Sequence, residues 1–115
     1  MSYDIDLEYP GGIAQVENHE DGGTYVLGGT TEASLNITYN YGRFFYMHLD
    51  EEKGLRWLYG KKASETIDRL QKAVEDLGTT RDSDYWKATP GNAGYALSRL
   101  LAWAHQHPDA TWNGD

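Results

Sequence analysis

Residues 35–47 read LNITYNYGRFFYM, and the fold depends on how far this stretch runs as a strand. Leu35, Ile37, Tyr39 and Tyr41 alternate with Asn36, Thr38 and Asn40, the period of two that puts apolar and polar side chains on opposite faces of a pleated strand. The β-branched and aromatic content favours the same state. The stretch is therefore expected to be strand through Tyr41, with Phe44 to Tyr59 open between strand and short helix.

Upstream, YDIDLEY at 3–9 alternates more cleanly, with Tyr3, Ile5, Leu7 and Tyr9 on one side and Asp4, Asp6 and Glu8 on the other. PGG at 10–12, DGG at 21–23 and GGTTE at 28–32 punctuate the chain as turns, leaving IAQVENHE and TYVL as weaker strands. Residues 1–49 thus read as a small antiparallel sheet. Downstream the period changes. Ile67, Leu70, Val74 and Leu77 fall on one helical face, with Ser64 as a candidate N-cap and Gly78 where a left-handed C-terminal residue is wanted. A second helix begins at Thr89-Pro90, carries Ala93, Ala96, Leu97, Leu100, Leu101 and Ala104 inward, and stops before Pro108. The expectation is one α+β domain over 1–115: an antiparallel β-meander in the N-terminal half packed against two amphipathic helices at 64–77 and 90–106. Its core is expected to contain Ile67, Leu70, Val74, Leu97, Leu100 and Leu101.

The chain has 115 residues, no cysteine and a net charge of −8. Disulfides and thiolate zinc sites are thereby excluded, and an intracellular location is expected. No apolar run approaches the roughly 20 residues that span a bilayer, so no membrane partner is expected. Residues 1–50 hold eight acids and one base, against ten acids and nine bases in 51–115. So acidic a chain is repelled by phosphate backbones, which argues against direct nucleic-acid binding. The acidic N-terminal half could instead mimic nucleic acid if Asp4, Asp6, Glu8, Glu17, Glu20 and Asp21 shared one open face.

No catalytic motif stands out. The glycine pairs at 11–12, 22–23 and 28–29 match neither a dinucleotide fingerprint nor a phosphate loop and read as hairpin turns. His105 and His107 stand two apart at a helix end, while His19 and His48 are isolated, so no metal site is expected. There is no nucleophile elbow, and neither an enzyme nor a cofactor is inferred. What remains is suited to binding. Asn36, Thr38 and Asn40 offer uncharged polar groups from one strand face, and Arg43 offers a guanidinium fork. Tyr25, Tyr85 and Trp86 offer aromatic faces. The helix start at Thr89, Gly91 and Asn92 offers backbone N–H groups to an anion. Together they outline a site for a small polar, anionic or nucleotide-like ligand.

The segments SYDIDL, GGTY, GGTTEA, LNITYNY, YGKKASETIDRLQKA, DYWKATPGNA and HPDATWNGD, taken in order, resemble a group of short bacteriophage and prophage proteins of uncharacterised activity. The resemblance runs over nearly the whole chain and implies a small accessory protein in the cytoplasm of a bacterial host cell. It carries no catalytic residue across. Its partners would be a small polar ligand or a host protein, with self-association as a homo-oligomer also open. The alternative to ligand binding is an acidic inhibitor, acting as a DNA mimic, of a host defence or regulatory protein.

Overall fold

The structure, a computed structural model, describes residues 1–21 and 27–115. Strand β1 (Ser2–Tyr9) is its centre: the alternation of YDIDLEY places Tyr3, Ile5 and Leu7 in the core and turns Asp4, Asp6 and Glu8 outward. Strands β2 (Gly12–Ile13), β3 (Gln15–His19), β4 (Thr30–Glu32) and β5 (Ser34–Thr38) follow. β5 runs antiparallel to β1 with Ser2 opposite Thr38 and Asp6 opposite Ser34. β3 and β4 pair as a separate two-stranded ribbon. The expected strand over TYVL involves Tyr25, and residues 22–26 lie outside the described residues.

Strand character ends at Thr38, earlier than alternation alone predicts. Its hydroxyl accepts from Asn40 N at 3.2 Å and starts a 3-10 turn at Tyr39–Tyr41, which passes into helix α1 (Gly42–His48). Tyr41, Phe44 and Phe45 are buried at i, i+3 and i+4, so the aromatic content of GRFFYMH serves a helical face. Asn40 therefore does not share a strand face with Asn36 and Thr38. A further 3-10 segment occupies Gly54–Leu58.

The C-terminal half is helical, as its period predicts. Helix α2 (Ile67–Leu77) follows a 3-10 turn at Ala63–Thr66, so Ser64 lies inside that turn and does not cap the helix. Gly78 ends α2 with φ of 75°. Helix α3 (Pro90–Gln106) is capped by Thr89, whose hydroxyl accepts from Asn92 N at 3.1 Å. Leu70, Leu97, Leu100 and Leu101 are buried, whereas Ile67 and Val74 are only half-buried at the margin. The chain ends in β6 (Thr111–Gly114), a strand unannounced by the sequence pattern that pairs with β1, Leu7 opposite Trp112. The result is an α+β fold with antiparallel strands in the N-terminal half and helices dominating the rest. No helix among the described residues is long and apolar enough to cross a membrane.

The outer face of β1 carries one measurable electrostatic cost. Asp6 Oδ1 is buried without a hydrogen-bond partner, and burial pushes the carboxyl up to about 6, helped by Glu8 and Glu32. An acid raised in the folded state binds its proton more tightly than the unfolded chain does. Asp6 thus contributes stability below its ordinary value, and that stability is lost as pH rises through about 6. Asp6→Asn is expected to stabilise the protein by about 1 kcal/mol at pH 8, allowing for screening at this half-exposed site, and to give no gain at pH 4. Urea unfolding at the two pH values checks the sign.

Candidate functional site

The loop between α2 and α3 is held by a single buried amide. Asn92 Oδ1 accepts from Asp82 N at 2.9 Å, while Nδ2 donates to Asp84 O at 3.1 Å and Lys87 O at 2.9 Å. Asp82 and Asp84 add turns of their own by accepting from Asp84 N and Trp86 N. This clamp presents Arg81 and Tyr85 towards β5 and the first turns of α3. From the 3-10 turn between β5 and α1, Tyr41 OH donates to Tyr85 O and Asn40 Nδ2 donates to Trp86 O at 2.9 Å. Tyr85 OH in turn donates to Asn36 O at 3.2 Å.

Between these elements lies a narrow cleft of about 30 Å³. Leu35, Tyr41, Tyr85 and Tyr95 form apolar and aromatic walls, and Asp21, Arg81 and Arg99 supply charge. Asp21 is engaged: it accepts from Tyr95 OH at 3.1 Å and lies 3.1 Å from Arg99 Nε, an ion pair poorly aligned as a hydrogen bond. Arg81 is different. Its guanidinium sits 4.4 Å from the centroid of the Tyr95 ring, and among the described residues no carboxylate lies within ion-pair distance of it. Burial pushes the Tyr41 hydroxyl up to about 12 and also raises that of Tyr95, so both stay neutral at physiological pH. The cleft accordingly holds two cations, one anion and neutral hydroxyls, on a chain whose overall charge is −8.

Comparison with protein-family models, with curated proteins and with solved structures returns no match. The site has to be understood from its own chemistry.

Of the residues that the sequence singles out, Tyr85 and Asn92 line the cleft, and Tyr25 lies outside the described residues. Asn36, Thr38, Asn40 and Arg43 are not among the residues that line it, and their polar groups are turned to the protein. Asn36 Nδ2 donates to Ser2 Oγ at 2.7 Å and to Asp4 Oδ1 at 2.6 Å. Thr38 caps the 3-10 turn, and Arg43 lies over the Phe44 ring with Nη2 3.5 Å from Ala88 O. Trp86 is exposed beside Asn40. Thr89 is spent on capping α3, Lys87 faces Asp82 at 3.8 Å, and Gly91 packs against the backbone of Thr80. Arg81, Tyr95 and Arg99 escape sequence pattern reading, although Asn92, Tyr95, Ala96 and Arg99 fall at i, i+3, i+4 and i+7, the spacing of one face of α3. Among the described residues no group of three metal-ligating side chains gathers.

Proposed function

We propose that this chain is an accessory protein of the phage type that binds or sequesters a small polar, anionic or nucleotide-like ligand, making and breaking no bond. The observation that carries the proposal is Arg81, a guanidinium without an ion-pair partner among the described residues, in a tyrosine-walled cleft. A guanidinium fork fits a phosphate or carboxylate bidentately. Tyrosine rings receive a flat ring system by offset or edge packing. The cleft volume of about 30 Å³ is room for little more than one water, so the ligand sits at the mouth of the cleft or widens it on binding. Arg99 strengthens the positive potential while Asp21 fixes its position and can accept a hydrogen bond from a ligand N–H.

The test is native mass spectrometry of the protein purified from a bacterial lysate. The parent chain is expected to retain a small-molecule mass that Arg81→Ala loses, while the melting temperature of the ligand-free variant stays within about 3 °C of the parent. A parent chain that retains nothing, or a variant that keeps the same mass, counts against the proposal. Inhibition by an acidic surface is less well supported. Asp4, Asp6 and Glu8 do share the outer face of β1, but Asp21 turns into the cleft to meet Arg99.

A further inference from the structure

Arg81 borders two spaces of very different size. The tyrosine-walled cleft holds about 30 Å³, whereas a groove that Arg81 also lines holds about 310 Å³. Only the groove reaches the volume of small-molecule sites, which begins near about 300 Å³. An anion held by Arg81 therefore has room for the rest of its molecule in the groove, where the cleft has almost none.

The groove lies where α2 ends and α3 begins, and its walls include Leu77, Thr80, Asp82, Thr89 and Pro90. Its shape is fixed from behind by the bond from Asp82 N to Asn92 Oδ1 and by the contact of Gly91 with the Thr80 backbone. Among the described residues no aromatic ring lines it, so a flat base has nothing to stack on there. The groove offers hydroxyls and a carboxylate instead. Thr89 Oγ1 already accepts from Asn92 N, which leaves its O–H free to donate. Asp82 Oδ1 accepts from Asp84 N at 2.8 Å and Oδ2 lies 3.8 Å from Lys87 Nζ, so the carboxylate is held in place with lone pairs to spare. The start of α3 adds little for an anion, because Pro90 has no N–H and that of Asn92 is taken by Thr89. Arg81 is the group that receives negative charge.

We infer that the groove seats the body of the ligand and that the ligand is a phosphorylated sugar or polyol, with its phosphate on Arg81 and its hydroxyls on Asp82, Thr80 and Thr89. The inference rests on the reading of Arg81 as the anion-binding group. Neighbouring charges of opposite sign set the orientation. Asp82 repels a phosphate and accepts from hydroxyls, whereas the guanidinium binds a phosphate in its fork and accepts nothing. Leu77 and Pro90 give the carbon edges of the ligand an apolar wall.

Isothermal titration calorimetry with ribose 5-phosphate and with inorganic phosphate tests it. Ribose 5-phosphate is expected to bind at least about tenfold more tightly than phosphate, and Arg81→Ala to abolish both. Thr80 is exposed, so Thr80→Tyr should fold, with a urea midpoint to verify it. Its ring fills the groove and is expected to weaken ribose 5-phosphate at least about tenfold. Ala96→Val narrows the cleft instead and is expected to change that affinity by less than about twofold. Asp82→Asn keeps an acceptor for Asp84 N, and is expected to weaken ribose 5-phosphate about fivefold while phosphate binds as before or more tightly. No binding of ribose 5-phosphate, or affinity no greater than that of phosphate, overturns the inference. So does a loss of affinity in Ala96→Val without one in Thr80→Tyr, which would leave Arg81 as the anion site and put the ligand in the cleft. Adenosine monophosphate binding over about tenfold more tightly than ribose 5-phosphate would seat a base among the tyrosines and overturns it as well. Binding that survives Arg81→Ala removes the reading of Arg81 itself, and the inference with it.

Discussion

Trp112→Ala is expected to destabilise the protein by about 3–5 kcal/mol, the range for emptying a buried aromatic site. The indole is fully buried, and its Nε1 donates to Thr66 Oγ1 at 2.9 Å, tying the C-terminal strand to the turn before α2. Its backbone ties the same strand to a third segment: Trp112 N donates to Lys61 O at 3.0 Å, and Gly60 N donates to Trp112 O at 2.8 Å. With Leu7 opposite it in β1, Trp112 joins the first strand, the middle of the chain and the last strand at one point. Trp112→Phe separates packing from polarity. It keeps most of the apolar volume and loses the hydrogen bond, so about 1–2 kcal/mol is expected. Urea unfolding followed by circular dichroism measures both variants, and a loss below about 1 kcal/mol for Trp112→Ala would mean that the site collapses or that β6 is not docked.

The sequence made β1 and α3 legible because each repeats its own period over at least two turns or four pleats, and burial follows that period. It hid β6 because THR-TRP-ASN-GLY at 111–114 is four residues long, has one large apolar side chain and pairs with a strand about a hundred positions away. Local propensity carries no information about such a partner. α1 was hidden differently. Tyr39 and Tyr41 continue the alternation of β5, and only the cap formed by Thr38 and the burial of Tyr41, Phe44 and Phe45 on one side show where the period changes. The cleft was half legible. Tyr85 and Asn92 belong to it, but the polar groups of Asn36, Asn40 and Thr89 are spent on internal bonds that a sequence pattern cannot distinguish from bonds to a ligand. Arg81 sits in a loop with no period, so its place opposite Tyr95 arises from tertiary packing alone.

That packing depends on two glycines. A methyl group at Gly91 would lie 1.8 Å from Thr80 O, and one at Gly94 would lie 1.8 Å from Gly78 O, so α3 rests directly on the backbone that leaves α2. Gly→Ala inside an ordinary helix stabilises by about 0.5–1 kcal/mol, because alanine loses less backbone entropy. Here the sign is expected to reverse. Overpacking costs about 1–3 kcal/mol, and Gly91→Ala belongs near the upper end because the obstructing atom is a carbonyl oxygen, which no rotamer change can move. Relief requires the chain at Thr80 to shift outward, and Arg81 is the next residue. Gly91→Ala is thus expected to lower unfolding stability by about 3 kcal/mol and to weaken retention of the ligand proposed for the cleft together with it. Urea unfolding and native mass spectrometry on the same preparation read the two effects. A variant as stable as the parent would show that the α2–α3 connection does not press on α3 and that this contact does not position Arg81.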